Sequence, residues 1–302
     1  MNWFKSLCVF SCAALLGAGV MAQEAVTVEE EEDGWMPSVE LSADYSSAYV
    51  SKGFVGNPDP ILALELNLSL KGFYADVWSP FDMSGYNSPK RSGAYTNKRK
   101  WRAEEIDYVL GYSYTFDKEL LGGLSDLTVD FSWQYYQYPR MREVTELDVD
   151  EDGEVTGVHL SHFKEMPLCL TLSLDNVLAS CTEEDSPHSL AISNNLYYDL
   201  EQYYWYTETG ISYGYQVTEK LAASLTNTWY WGDHKYNGWG HQAMKATDLV
   251  AELAYDVCEH VTLSTYVGVA WATNSHERQE WKDDPNNNRT NWWGGVKCAF
   301  AF

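Results

Sequence analysis

The sequence predicts an all-β protein: a transmembrane, antiparallel, up-and-down β-barrel of about twelve strands. Three observations predict it. The chain opens with an apolar segment typical of a secretory signal, continues through aromatic-rich segments in which apolar and polar residues alternate, and ends on an alternating strand whose last residue is Phe302. Alternation with a period of two gives a strand one apolar and one polar face, as a barrel wall between lipid and water requires.

The first 37 residues are predicted to precede the barrel. Residues 1–22 contain Lys5, an apolar stretch and small residues before the expected cleavage point, the pattern of a secretory signal peptide. Residues 23–37 include the acidic run 29–33 and are expected to form a disordered periplasmic lead-in. Residues 38–302 are then the outer-membrane β-barrel.

The segment 61–70 shows the alternation most clearly, because its leucines at every even position share one face while the residues between them share the other. Similar alternation predicts the other strands at 38–50, 73–80, 104–116, 126–138, 164–175, 190–200, 203–217, 220–231, 247–257, 260–272 and 290–302. An even number of strands brings both ends of the chain to the periplasmic side.

The lengths of the connections agree with this count, since these barrels have short periplasmic turns and long outer loops. The short connections are 71–72, 117–125, 218–219 and 258–259, and the long polar ones are 81–103, 139–163, 232–246 and 273–289. Aromatic residues predict two belts at the lipid headgroup levels. The outer belt is Trp78, Tyr135, Trp205, Trp229, Trp231, Trp271 and Trp292; the inner belt is Phe73, Tyr114, Phe116, Tyr213, Tyr215, Tyr255, Phe300 and Phe302.

The polar face of the strands is predicted to line an acidic lumen. Its acidic members are Glu40, Asp44, Glu65, Asp76, Asp107, Asp130, Glu208, Glu252 and Asp256, and its basic member is Lys297. Such a lumen attracts cations and repels anions. Acids and hydroxyls that pair with each other could instead fill a closed interior, as happens in barrels of about eight strands.

The loop at 83–103 is basic and carries no carboxylate. Its basic residues are Lys90, Arg91, Lys98, Arg99, Lys100 and Arg102. One hypothesis is that this loop folds inward against the acidic wall and forms a constriction. The alternative is an outward loop that binds lipopolysaccharide phosphates or is simply solvated.

The segment 148–153 matches the first half of a calcium loop, with carboxylates at Asp148, Asp150 and Asp152. The twelfth position is His159, where the motif needs a bidentate Glu. We therefore expect an acidic β-hairpin here rather than a metal site, and no cofactor is predicted.

Four cysteines follow the signal peptide, and all map near the predicted periplasmic rim. In an oxidising compartment the candidate pairs are Cys169–Cys181 and Cys258–Cys298, with free thiols as the alternative. The phase of Cys298, which shares the lipid face, argues against the second pair.

Catalysis is not predicted. His159 and Ser161 resemble the His-x-Ser of the outer-membrane phospholipase family, in which His activates a nucleophilic Ser. The supporting Asn is missing at its expected distance, and the nearest one, Asn176, lies beyond the strand.

Three segments resemble the TorF-type putative porin family. They are LSADYSSAYVSKGF at 41–54, GFYADVWS at 72–79 and the tyrosine-rich YYDLEQYYWYTETG at 197–210. The chain departs from the family at Lys52, where Arg is usual before the Gly, and in its longer, charged outer loops. The resemblance implies a small outer-membrane barrel with a suspected pore role, an undefined substrate and no catalytic residues.

The sequence therefore predicts a passive outer-membrane channel for small polar solutes, with a preference for cations. The alternatives are a non-conducting barrel with an anchoring or surface-interaction role and, third, a lipid hydrolase. The expected partners are outer-membrane lipid, lipopolysaccharide, small solutes or ions, and the barrel-assembly machinery, which would engage the strand ending in Phe302. With 44 acidic against 20 basic residues, nucleic acid is not an expected partner.

Overall fold

The fold is described by a computed structural model. It covers residues 36–83, 103, 105–117, 121, 125–149, 155–175, 177, 186–233, 243–283 and 287–302, with the backbone alone at 140–149, 155–163, 243 and 280. The predicted signal peptide and nearly all of the acidic lead-in lie outside these residues. No helix within the described ranges is long and apolar enough to cross a membrane.

The described residues form fifteen strands and one helix in chain order. The strands are β1 Ser38–Ser46, β2 Tyr49–Ser51, β3 Phe54–Asn57, β4 Ile61–Leu70, β5 Phe73–Asp82, β6 Ile106–Phe116, β7 Asp126–Val149, β8 Val155–Glu165, β9 Pro167–Asp175, β10 His188–Asp199, β11 Trp205–Thr218, β12 Leu221–Gly232, β13 Ala243–Cys258, β14 Val261–Ala272 and β15 Thr290–Ala301. The helix, α1, is Ser275–Asp283.

Twelve of these strands form one closed antiparallel ring. Its order is β1, β4, β5, β6, β7, β9, β10, β11, β12, β13, β14 and β15, and β15 pairs with β1 to close it. β8 pairs with the outer part of β7 in a two-stranded ribbon beyond the ring, and β9 continues the line of β8 after Met166. The predicted barrel of twelve strands is confirmed.

The two ends of the ring carry connections of different length. One end has the two-residue turns 71–72, 219–220 and 259–260, and the other has the connections 47–60, 83–105 and 273–289. We call the first the inner end, because short turns face the periplasm in such barrels. Lys71 and Gly72 have φ values of 51° and 83°, the left-handed conformation that a two-residue hairpin turn requires.

Two predicted strands differ from the structure near the outer end. The predicted strand 38–50 ends at Ser46, and Tyr49 begins a separate hairpin of β2 and β3. The predicted strand 126–138 continues to Val149, which pairs with Val155 of β8. The pairing of β7 with β8 agrees with the acidic hairpin that the sequence predicts here, and its turn at 150–154 lies outside the described residues.

The wall has an apolar outer face and a polar inner face. Leu41, Leu64, Leu172, Leu253 and Val267 are exposed on the outside of the ring, although they are large apolar residues. A surface of this kind is stable only against lipid. A closed barrel with this exterior is an outer-membrane β-barrel, and the predicted localisation in the bacterial outer membrane is confirmed.

The aromatic belts agree with the prediction except at one residue. The predicted inner belt is exposed throughout, with exposed fractions from 38% at Phe116 and Phe300 to 67% at Phe302. Trp78, however, does not face lipid. It has the phase of Asp76, which is buried, and its ring lies 6.1 Å from the ring of Tyr49. The prediction for Trp78 was wrong because position near a strand end was given more weight than alternation along the strand.

Inward-facing aromatic rings lie against glycines of neighbouring strands. A Cβ atom on Gly111 would lie 2.2 Å from Tyr74 Cζ, and the Tyr74 hydroxyl donates a hydrogen bond of 2.9 Å to Asp130 Oδ1. A Cβ atom on Gly268 would likewise lie 2.3 Å from the nearest ring atoms of Trp293. The absent side chains make room for large rings inside the barrel.

We expect Gly111→Ala to lower the free energy of unfolding by about 1–3 kcal/mol, because Tyr74 must leave its position and its hydrogen bond. Gly210→Ala is the matched control: its Cβ would meet a single neighbour, the Ser193 hydroxyl at 2.9 Å, which can rotate away. Urea unfolding in lipid vesicles, followed by tryptophan fluorescence, measures both. Equal losses in the two variants would contradict this account.

Candidate functional site in the barrel lumen

The structure places the nine acidic residues predicted for the lumen on the inner face of the wall. Glu40 is exposed at the inner end, Asp44, Glu65 and Asp256 are half-buried, and the others are buried. The buried ones are Asp76, Asp107, Asp130, Glu208 and Glu252. Whether they set selectivity remains a prediction.

One group of carboxylates surrounds Lys297, and we call it the inner acidic cluster: Glu40, Asp44, Glu65, Asp76 and Glu252. The Lys297 ammonium lies 3.5 Å from Glu65 Oε2, and it interacts electrostatically with the other four carboxylates. Lys297 is 10% exposed, so its charge is screened little by water. A single described ammonium therefore faces several carboxylates in this part of the lumen.

Lumen carboxylates inside and outside this cluster accept hydrogen bonds from hydroxyl groups. Tyr266 donates to Asp44 at 3.0 Å, and Tyr230 donates to Asp248 at 2.6 Å. At the inner end Thr262 donates to Asp256 at 2.8 Å. Neutral donors of this kind hold the carboxylates in place without cancelling their charge.

The hairpin of β2 and β3 crosses the lumen near the outer end. At one side Tyr49 contacts Trp78 of β5 and donates a hydrogen bond to Glu105. At the tip, the Lys52 ammonium lies 4.0 Å from the ring centre of Tyr206 on β11. Because β5 and β11 lie on nearly opposite sides of the ring, the hairpin spans the lumen between them.

The hairpin is held by backbone contacts that do not involve the Lys52 side chain. Asn287 binds Val55 twice, accepting from its N–H at 2.8 Å and donating to its carbonyl at 3.3 Å. Asn291 donates to the carbonyl of Gly53 at 3.1 Å. A Cβ on Gly53 would lie 3.1 Å from Ala246 Cβ, so the tip fits closely against β13.

Helix α1 covers the hairpin from the outer side. Its Trp281 is fully buried and packs edge-to-face against Phe54, with the ring centres 6.4 Å apart and an angle of 71° between the ring planes. Val50 and Val55 are buried in the same apolar cluster as Tyr230. The hairpin and helix therefore form a packed body inside the outer half of the barrel.

Around the tip of the hairpin, the Tyr206 ring and the Glu208 carboxylate face Lys52, and Tyr197 stacks on Tyr206. Tyr197 and Tyr206 are stacked, with ring centres 4.4 Å apart and ring planes 10° from parallel. Glu208 is 1% exposed, and the Lys52 ammonium interacts with it electrostatically. We call Tyr197, Tyr206 and Glu208 the ammonium-facing triad.

Several predicted sites lie wholly or partly outside the described residues. These are the six basic residues of the loop 83–103 and the calcium-loop positions Asp150 and Asp152, while Asp148 has only its backbone described. In the described part of the chain no group of three His, Cys, Asp or Glu side chains could hold a metal ion. His159 and Ser161 pair with Glu146 and Glu143 in the ribbon beyond the ring, and their side chains lie outside the description.

The predicted disulfide Cys258–Cys298 does not form, and both residues are free thiols. Cys298 lies opposite Leu263 on the lipid face, whereas Cys258 lies beside the inner turn. Cys169 is also free, and Cys181 lies outside the described residues. The prediction that Cys169 lies near the periplasmic rim was wrong: it is two residues from the outer end of β9, buried beside Tyr197.

Sequence reasoning missed the hairpin and its contacts. Two of the missed residues carried a usable signal: Asp248 has the phase of Glu252, and Tyr206 has the phase of Glu208. The inward course of Lys52 and the burial of Trp281 had no local signal, because loop residues show no alternation.

Comparisons with known proteins find similarity of fold but no match in sequence. No protein-family model matches the chain, and no curated protein matches it in sequence. Among solved structures, a KdgM porin in complex with disordered oligogalacturonate has 9% identity and a TM-score of 0.46, with 88% of this chain and 99% of that chain covered. A NanC porin has 11% identity and a TM-score of 0.43, with coverages of 87% and 98%. OmpT of Vibrio cholerae has 10% identity and a TM-score of 0.35, with coverages of 88% and 97%.

Proposed function

We propose that this protein is a passive outer-membrane channel for small polar solutes and that its lumen prefers cations. The observation that carries the proposal is the excess of carboxylates over ammonium groups on the described inner face. Low-dielectric walls focus the field of such groups into the lumen, raising the local concentration of cations. No family model matches the chain, and the resemblance of three of its segments to TorF-type porins agrees with a pore role.

We expect discrete current steps from refolded protein in a planar bilayer, with a cation-selective reversal potential under a KCl gradient. Replacing Asp130 and Glu252 by Asn and Gln should move that potential toward zero, because two lumen charges are lost. Glu219→Gln, in an inner turn outside the lumen, is the matched control and should leave the reversal potential unchanged. An anion-selective potential in the wild type would contradict the proposal.

Uncharged and charged forms of one sugar test the same preference for solutes. Galactosamine, galactose and galacturonate are similar in size and differ in charge. In liposome-swelling assays the acidic lumen should pass them in that order, galactosamine fastest. The hypothesis that the basic loop 83–103 folds inward predicts in addition that deletion of residues 90–102 enlarges the conductance.

A non-conducting barrel with an anchoring or surface-interaction role is the second candidate. The packed hairpin and helix in the outer half of the lumen favour it, as does the ribbon of β7 and β8 beyond the ring. No current steps from protein that unfolds cooperatively would support this role. The third candidate, a lipid hydrolase, predicts that Ser161→Ala abolishes cleavage of a phospholipid substrate.

A further inference from the structure

The Lys52 side chain occupies a site with the chemistry of ammonium recognition. The face of an aromatic ring attracts a cation through its quadrupole, most strongly when water is excluded. Tyr206 presents such a face at 4.0 Å, and Tyr197 stacks on it at 4.4 Å. Both rings are buried, so the cation meets the Tyr206 ring with little water present.

Glu208 supplies the opposite charge at this site. It is buried on the inner face of β11, and neither of its carboxylate oxygens has a hydrogen-bond partner in the described structure. The Tyr197 hydroxyl lies close enough to stabilise the charged form of this carboxylate. A buried carboxylate is costly unless it is paired with a cation or with hydrogen-bond donors. In the described structure the carboxylate oxygens of Glu208 can therefore bind an ammonium group.

The hairpin does not depend on Lys52 for its position. Asn287 and Asn291 hold its backbone, and Val50, Val55 and Trp281 bury its apolar side chains. The hairpin therefore holds Lys52 against the triad through contacts that do not involve the Lys52 side chain. Its side chain, four methylene groups ending in a primary ammonium, resembles a small alkylammonium solute attached to a tether.

We infer that the ammonium-facing triad is a binding site for primary alkylammonium solutes and that Lys52 occupies it as a tethered competitor. This inference rests on the proposed function, because it names a solute class for the same lumen. A solute in the outer half of the lumen competes with Lys52 for Glu208 and the Tyr206 ring. When it binds, it displaces the lysine side chain from the site.

Lys52→Gly tests the inference with n-butylammonium, which replaces the deleted side chain. Lys52 has a φ of 50°, a conformation that favours Gly, so the turn is preserved. Lys71→Gly is the matched control, because Lys71 has a φ of 51° in another Lys-Gly turn at the inner end. The binding constant is measured by isothermal titration calorimetry on folded protein in detergent, with n-butanol as the neutral probe.

We expect Lys52→Gly to bind n-butylammonium at least about tenfold more tightly than the wild type or Lys71→Gly. If the Lys52 side chain fills the site in about nine of ten wild-type molecules, only about one in ten can bind the solute, and the apparent affinity is lowered by that factor. Adding Glu208→Gln should abolish this gain, and n-butanol should bind none of the proteins. Equal affinities in Lys52→Gly and Lys71→Gly, or equal binding of n-butanol and n-butylammonium, would overturn the inference. Calorimetry needs no current, so a barrel that binds but does not conduct would refute the channel and leave the site standing.

Discussion

Replacing residues 47–60 by a short Gly-Ser turn should raise the single-channel conductance severalfold. The hairpin that this change removes spans the lumen from Trp78 to Tyr206 and therefore narrows the path for ions. A short turn can close the gap because Ser46 and Ile61 lie directly opposite each other in β1 and β4. Conductance in symmetric KCl, measured in a planar bilayer, gives the result.

The ribbon of β7 and β8 provides the matched control for this deletion. Residues 142–149 pair with 155–162 beyond the ring, and replacing 142–162 by the same turn removes an even longer segment, 21 residues against 14, without touching the described lumen. That variant should keep the wild-type conductance. An unchanged conductance after removal of 47–60 would show that the hairpin does not limit the current.

Lys297→Met should produce the largest loss of stability among single substitutions in the lumen, about 3–5 kcal/mol, because it leaves the inner acidic cluster without its described ammonium. Repulsion among Glu40, Asp44, Glu65 and Glu252 is then uncompensated around the largely buried position of the lost ammonium. The loss should shrink at acidic pH, since a protonated carboxyl needs no countercharge. Urea unfolding in vesicles at neutral and acidic pH measures both effects.

Two further variants separate charge from other causes. Lys297→Arg keeps the cation and should lie close to the wild type at both pH values. Lys220→Met removes an exposed ammonium from an inner turn and should have little effect on the free energy of unfolding. A Lys297→Met variant as stable as Lys220→Met would contradict the role assigned to Lys297.

The wall of the barrel could be predicted because each strand carries its own evidence. In β4, the leucines and the polar residues alternate since one face meets lipid and the other meets the lumen. The same rule, applied consistently, would have turned Trp78 inward with Asp76. The error arose because the preference of aromatic residues for strand ends was used to place Trp78. That preference is weaker evidence for the direction of a side chain than the alternation along its strand.

The contents of the lumen could not be predicted in the same way. The dipeptides at 52–53 and 71–72 are both Lys-Gly, with nearly the same φ values, yet one lies inside the barrel and the other at its inner end. What distinguishes them is the fit of Gly53 against Ala246 and Ala270, residues far away in the chain. Contacts of this range leave no trace in a local pattern.

The pairing of β1 with β15 bears on how the protein reaches this structure. Val39 exchanges hydrogen bonds of 3.0 and 2.9 Å with Phe302, so the ring closes between segments from the two ends of the described chain. Until that contact forms, a partly assembled sheet has two unpaired edges, which invite aggregation. Contacts of such long sequence separation also form slowly. We therefore expect the pairing of β1 with β15 to be a slow step of folding, and a chaperone that covers the open edges to protect the chain most before that step.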